Sequence, residues 1–420
     1  MLKPAFTKLH RWAGLMTAGF LLLAGLTGSL LAFEHDLEVL LNPHLFVATP
    51  SADIPSPAPL DPFELREHVQ DLEPKADVSE VVLGPHPGQS AMFWLTPRIN
   101  PDTGQPFKLS ADQLFVDPAT GEELGRRQWG EFISNGEIHW ENLIPFLWRL
   151  HSSLALPEPW GAWLFGAIAL IWTLDCFIGL FLTLPRFQRA QRPFLKRWKP
   201  AWLIKWHSGA YRINLDLHRC IGLWLWFMLL VFAWSSVMLN LRQEVYNPVM
   251  SLAFEFSENN NFARPKTESA STLDWRAAHA AAAYELNRLS VERGFTINHE
   301  NSLFLNRKRN IYIYRVHTSE DVYDAAPGAG KTKIVIDASS GAFLGASFPS
   351  GDAAGNTVSN WLQGLHMANV FGLPYRLFVC VIGVMVAVLS VTGVIVWLKK
   401  RRAQAHRIER KVAAYRVKVR

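Results

Sequence analysis

Four stretches of the chain are almost wholly apolar. Trp12–Phe33, Cys220–Leu241 and Leu377–Leu398 each run 22 residues without an acidic or basic side chain, and Gly161–Leu184 contains only Asp175. Each is long enough to cross a hydrocarbon core of roughly 30 Å as a helix. The pattern predicts four transmembrane helices. Between them the polarity alternates on shorter periods. "DPFELREHVQDL" (61–72) has helical spacing after an Asp-Pro start, which suits an N-cap and a first-turn proline. "SEVVLG", "SAMFWL" and "DQLFVD" then alternate as strands. The second long segment repeats this order: "TLDWRAAHAAAAYELNRL" (272–289) is helical, and "NSLFLN", "NIYIYRV" and "KTKIVID" are strand-like. A helix packed on a small antiparallel sheet is the module expected twice. The fold class is therefore an α-helical four-helix membrane bundle carrying two α+β domains.

Charge sets the orientation. Residues 1–11, 185–219 and 399–420 hold 22 Lys and Arg but only two acids, Asp216 and Glu409. The positive-inside rule places these short segments, and both termini, in the cytoplasm. The expected organisation is a first helix ending at 33, an outer domain over 34–158 and a second helix over 159–185. A basic cytoplasmic loop (186–215) leads to a third helix (216–241). A second outer domain (242–373), a fourth helix (374–398) and a basic tail (399–420) complete it. "TPSADIPSPAPLDP" (49–62) reads as a Pro-rich linker. The first apolar run is too long for a signal-peptide core and reads as an uncleaved helix. The sequence pI of about 9.2 arises from flanks that face membrane lipid, so nucleic-acid binding is excluded as its explanation. Cys176, Cys220 and Cys380 all lie in apolar runs, where they read as packing residues.

The chain repeats itself. "LHRWAGL" (9–15) matches "LHRCIGL" (217–223), "LFVDPATGEELG" (114–125) matches "IVIDASSGAFLG" (334–345), and "RLHSSLALP" (149–157) resembles "GLHMANVFGLP" (364–374). The unit is helix, outer domain, helix, and both copies point the same way. Two parallel repeats are related most simply by a pseudo-two-fold axis along the membrane normal.

The "VDPATGEELG" strand-turn resembles the PepSY module. The "LHRxxGL" helices and the "LH…GLP" approach to the next helix, in this order, resemble the PepSY-associated transmembrane proteins over about residues 5–400. That group includes ferric-siderophore reductases of bacterial inner membranes. The resemblance implies a multi-pass inner-membrane location, two b-type haems per chain, a ferric siderophore as periplasmic acceptor, and a role in iron homeostasis. Some relatives continue into a flavodoxin-like reductase domain. This sequence stops at "KVAAYRVKVR", so its electron donor, a quinol or a flavoprotein, is expected to be separate.

Fourteen histidines can be sorted by repeat. His10 and His218 are equivalent, at the cytoplasmic ends of two outward-running helices. His151 and His366 are equivalent, at the outer approach to two inward-running helices. A two-fold axis sets each pair at one depth. Facing imidazoles on a helical bundle suit bis-histidine ligation of haem iron. Arg11 and Arg219 beside the first pair, and Arg149 and Arg376 beside the second, could hold haem propionates. A single histidine at a helix end is ordinarily an interfacial or capping residue, and an arginine there a snorkelling one. Four in two repeat-related pairs are harder to assign that way. His35 and His207 compete as ligands: His35 sits at the outer end of the first helix, and His207 lies eleven residues before His218.

Asp175 is the lone carboxylate in a membrane run, a costly placement that marks a functional candidate. It could serve proton or quinol chemistry, balance haem charge, or simply be hydrogen-bonded to Thr173, Ser235 or Ser236. Two rival functions stay open: a non-enzymatic membrane-anchored PepSY binding or regulatory protein, and a metal or siderophore permease. The first leaves the histidine pairs without a role. The second calls for polar or broken helices at mid-membrane.

Overall fold

The computed structural model describes residues 2–48, 58–84, 88–185, 193–257, 272–324 and 331–418. Most of the Pro-rich linker (49–57) and the start of the basic loop (186–192) lie outside them. Helix α1 spans Leu2–Leu31, and a short α2, Glu34–Leu41, follows it. Helices α5 (Trp160–Thr183) and α10 (Gly372–Lys418) are the other long apolar helices. Among the described residues, three helices are long and apolar enough to cross a membrane; α6 (Ala210–Trp224) and α7 (Trp226–Asn240) make a fourth span if taken together.

Two departures from the sequence reading concern these helices. The third apolar run is bent by 69° between α6 and α7 rather than continuous. No proline sits there. The bend falls between two tryptophans bonded to different elements: Trp224 Nε1 donates to Trp202 O, and Trp226 Nε1 to Cys176 O on α5. The fourth helix does not stop near residue 398 but continues to Lys418, because Lys399–Lys418 contains no Gly or Pro to end it.

Helix α1 packs on α10 and on α5, α10 on α6, and α5 on α7. The tightest approach is a glycine crossing. A Cβ on Gly25 would lie 2.5 Å from Gly383 O, and one on Gly383 would collide with Ser29 Oγ and Gly25 O. Ser29 Oγ donates to Gly25 O on its own helix and to Cys380 O on α10. Small residues that let backbones touch are the usual way for helices to associate where no hydrophobic drive exists.

The polar segments fold at one end of the bundle. In the first, α3 (Pro62–Leu72) is capped by Asp61, whose carboxylate accepts from the amides of Phe63 and Glu64. Leu65 and Val69 on α3 pack against Ala91, Phe93, Leu114 and Val116. These belong to strands β2 (Ala91–Trp94) and β3 (Gln113–Val116), which with β4 (Glu123–Arg127) form the order β2-β3-β4. In the second, Ala278, Ala282 and Leu286, one helical turn apart on α8 (Trp275–Arg293), cover Leu303, Tyr312, Tyr314, Ile334 and Ile336. These lie on β5 (Ile297–Asn306), β6 (Ile311–Thr318) and β7 (Thr332–Asp337); β8 (Phe343–Ser347) is the outer edge.

The edge facing the first domain is closed unexpectedly. Strand β1 (Glu80–Val82), the "SEVVLG" run, pairs antiparallel with β5, pairing Glu80 with Phe304, Val81 with Leu303 and Val82 with Ser302. The sheet order is therefore β8-β7-β6-β5-β1. Three arginines of the second domain bind three acids of the first across this junction: Arg276 to Asp61, Arg307 to Asp77 through two 2.7 Å bonds, and Arg315 to Glu80. An edge that would otherwise template aggregation is thus covered.

The first domain is tied to the bundle by a buried cluster. Arg127 Nη2 lies 3.0 Å from Glu38 Oε1 on α2, and both side chains are nearly inaccessible. Arg127 also donates to Gln113 Oε1 and Glu141 O, and Asn42 donates to Glu38.

Candidate functional site

The "LHR" phrases lie on α1 and α6. Their histidines meet at the bundle end away from the sheets: the rings of His10 and His218 are 6.1 Å apart, centroid to centroid. At the sheet-bearing end, α4 (Leu143–Ser153) carries His151 in its last turn and α9 (Ala354–His366) ends on His366. Their rings are 6.2 Å apart. Both helices stop in left-handed turns, at Leu154 and just beyond His366 at Ala368, which swing the chain into α5 and α10.

Every one of the four rings has its Nδ1 anchored. His10 Nδ1 is 2.9 Å from Asp175 Oδ1 on α5. His218 Nδ1 is 3.0 Å from Leu389 O and 3.1 Å from Thr392 Oγ1 on α10. His151 Nδ1 is 2.9 Å from Thr27 Oγ1 on α1, and His366 Nδ1 is 2.7 Å from Ser235 Oγ on α7. The three hydroxyl protons are already given to backbone carbonyls: Thr27 to Leu23 O, Ser235 to Phe232 O and Thr392 to Val388 O. Each hydroxyl oxygen is left to accept. Carbonyl and carboxylate oxygens only accept. The carboxylate and carbonyl partners assign the proton to Nδ1 in His10 and His218, and the hydroxyls of Thr27 and Ser235 are placed to accept the same proton from His151 and His366. Nε2 keeps its lone pair, on the ring edge away from the anchor.

Glycines let the rings lie against the helices. A Cβ on Gly28 would be 3.0 Å from His151 Cε1, one on Gly393 3.1 Å from His218 Cε1, and one on Gly179 3.6 Å from His10 Cε1.

These features fit a metal ion that two imidazoles would hold between them. A metal–imidazole bond is about 2 Å. Two such bonds, with the short path inside each ring from nitrogen to centroid, bring centroids about 6 Å apart. The donor set, two neutral nitrogens in an apolar bundle, is that of low-spin haem iron. Anchoring of the remote nitrogen is the outer support that oriented ligands need.

The other expected site residues are placed differently. Arg219 is bonded to Asp216 Oδ1 and Pro200 O, Arg149 to Gly130 O, and Arg376 to Asp36. Each of these three guanidiniums thus has at least one protein partner. Arg11 is half-buried on α1. His35 neighbours Gln89 and Phe46. His207 is exposed in the turn before α6, which starts only at Ala210. Asp175 does not bond Thr173, Ser235 or Ser236; those hydroxyls serve Ala169 O, His366 and Phe232 O.

Of the anchoring hydroxyls only Ser235 was singled out from the sequence, and as a partner for Asp175 rather than for a histidine. A signal was there: Thr27 follows His10 by seventeen residues, as Ser235 follows His218.

A chain with apolar helices of spanning length, and with polar α+β segments at one end, is a membrane protein. It belongs to the family described as the PepSY-associated TM region, whose model matches residues 7–400. No curated protein matches the chain.

Proposed function

We propose that this protein is a di-haem b oxidoreductase of a bacterial inner membrane, built from two parallel repeats with both termini cytoplasmic and both α+β domains periplasmic. It takes electrons from the cytoplasmic side or the quinol pool and delivers them to a periplasmic acceptor, a ferric siderophore. The observation that carries the reading is the four-fold recurrence of one arrangement: a paired imidazole with Nδ1 anchored and Nε2 left to ligate.

His10 and His218 would hold one haem near the cytoplasmic face, and His151 and His366 a second near the periplasmic face. The haems, when bound, supply one-electron carriage that no side chain here offers. The chain's own part is to hold and insulate. Thr27, Ser235, Thr392 and Asp175 fix ring orientation and tautomer. The glycines at 28, 179 and 393 give the rings room beside the helices. The apolar faces of α1, α5, α7 and α10 exclude water. At the periplasmic end, α4 and α9 and the domains above them form the surface that meets the substrate. Reduction of Fe(III) to the softer Fe(II) weakens its binding by hard oxygen ligands and frees the metal.

The test is reconstitution in liposomes with a ferric hydroxamate outside and a quinol or reduced flavoprotein as donor. Formation of trapped Fe(II), dependent on protein and abolished by His366→Ala, is the expected result. Haem-loaded protein that reduces no ferric chelate from any donor would confine the activity to another acceptor.

A further inference from the structure

The four anchors are not alike. Three are neutral: the hydroxyl of Thr27 for His151, the hydroxyl of Ser235 for His366, and the Leu389 carbonyl with the Thr392 hydroxyl for His218. The fourth, on His10, is a carboxylate. It is nearly buried, with 11% of the Asp175 side chain exposed. The repeat does not demand it: with Gly179 beside His10 and Gly393 beside His218 as equivalents, the matching place on α10 is Leu389, which meets His218 through its backbone carbonyl and has no charge to offer. The one break in the internal symmetry of the four anchors is thus a charge at one end of the bundle.

We infer that Asp175 is a positioning residue that sets the direction of electron flow by lowering the reduction potential of the cytoplasmic-side haem relative to the periplasmic-side one. This rests on the di-haem reading above. The physical chain is short. A carboxylate accepting the Nδ1 proton draws it away from the ring and makes Nε2 a stronger donor. A stronger axial donor, with a negative charge close by in a medium of low dielectric, favours the more positive ferric state. The neutral acceptors on His151 and His366 give no such bias. An electron placed at the His10–His218 site therefore goes downhill to the His151–His366 site, from the cytoplasmic end toward the sheet-bearing end.

A potentiometric titration of haem absorbance, in detergent-purified wild type and Asp175→Asn, tests this. Asn keeps an oxygen for the Nδ1 proton but removes the charge. The wild type should titrate in two steps. Asp175→Asn should shift the lower step upward, leave the upper step in place and narrow the gap between them. Should that variant fail to accumulate, Asp175→Ser, which copies the hydroxyl acceptors at the other sites, gives the same comparison. His218→Ala, by removing one ligand of the cytoplasmic-side haem, identifies the lower step as belonging to that site. Two haems bound in both proteins with unchanged steps, or a shift in the upper step alone, would overturn the inference and leave the di-haem reading standing. A wild type that takes up no haem would overturn both.

Discussion

At the scale of single residues, the anchors decide what the histidines can do. A neutral imidazole has one ring nitrogen protonated, and its hydrogen bond selects which. Removing Ser235 Oγ or Thr27 Oγ1 frees a ring to rotate and to change tautomer. Ser235→Ala and Thr27→Ala are each expected to weaken haem retention at the His151–His366 pair by about 10- to 100-fold, the usual effect of losing such outer support. Haem transfer to excess apomyoglobin, followed by absorbance, measures this; the other site should be unaffected. Away from the histidines, the Arg127–Glu38 pair is nearly inaccessible on both sides. Arg127→Ala leaves Glu38 buried without its cation, which should destabilise the fold by about 3–5 kcal/mol. Thermal unfolding in detergent should show a large loss, and the double variant Glu38→Leu with Arg127→Met should recover much of it. The histidines themselves were readable because they recur inside a repeated phrase. Their anchors were less so: Thr27 and Ser235 are ordinary polar residues in apolar runs, and only the equal spacing from His10 and His218 marks them. Asp175 was visible as a lone charge, but its partner was not, since His10 and Asp175 are 165 positions apart.

At the scale of elements, the helix spans followed directly from the apolar runs, and the Asp61 cap from the Asp-Pro start. The 69° bend at Leu225 did not: the local sequence lacks a breaker, and the bend falls between Trp224 and Trp226, which bond to different elements. Strand β1 was expected in the first domain's sheet; it pairs with β5 of the second, a choice that depends on which edges face each other. Two predictions belong here. Gly383→Val places a branched side chain against the Gly25 backbone, so α1 and α10 must separate. A drop in detergent melting temperature with loss of haem from both sites is expected, whereas Gly14→Ala, where a Cβ meets nothing, should be silent. The domain junction should be acid-sensitive. Burial alone would raise the Asp77 pKa, but the bonds from Arg307 and Ser79 and the Arg307 charge outweigh it, and the net shift is downward. Glu300 is lowered foremost by its bond from His279, against the opposing effect of burial. Carboxylates with depressed folded values stabilise fully above their unfolded values of about 4, and lose that contribution as pH falls through the lower folded values. Limited proteolysis at the junction should therefore stay constant from pH 7 to about 5 and rise only below about 4.

At the scale of the whole molecule, the repeated phrase, the histidine pairs and the joined sheet are consequences of one arrangement. Strand β1 of the first domain and β5 of the second meet edge to edge, Val81 opposite Leu303. Each histidine pair draws one ring from each half of the chain. Neither half can complete a pair alone, so co-expressed halves should recover both sites together or neither. On the di-haem reading, the carboxylate of Asp175 is the feature that would give the bundle a direction. What composition alone could not show is the depth match of the pairs, because it depends on how α4 and α9 turn inward at their left-handed ends. The most direct measurement is a reduced-minus-oxidised visible spectrum of detergent-purified protein, with haem quantified per chain, on wild type, His218→Ala and His366→Ala. Two b-type haems per wild-type chain, with each variant losing one, is the predicted result; a colourless wild type that takes up no haem when supplied with it would contradict the account.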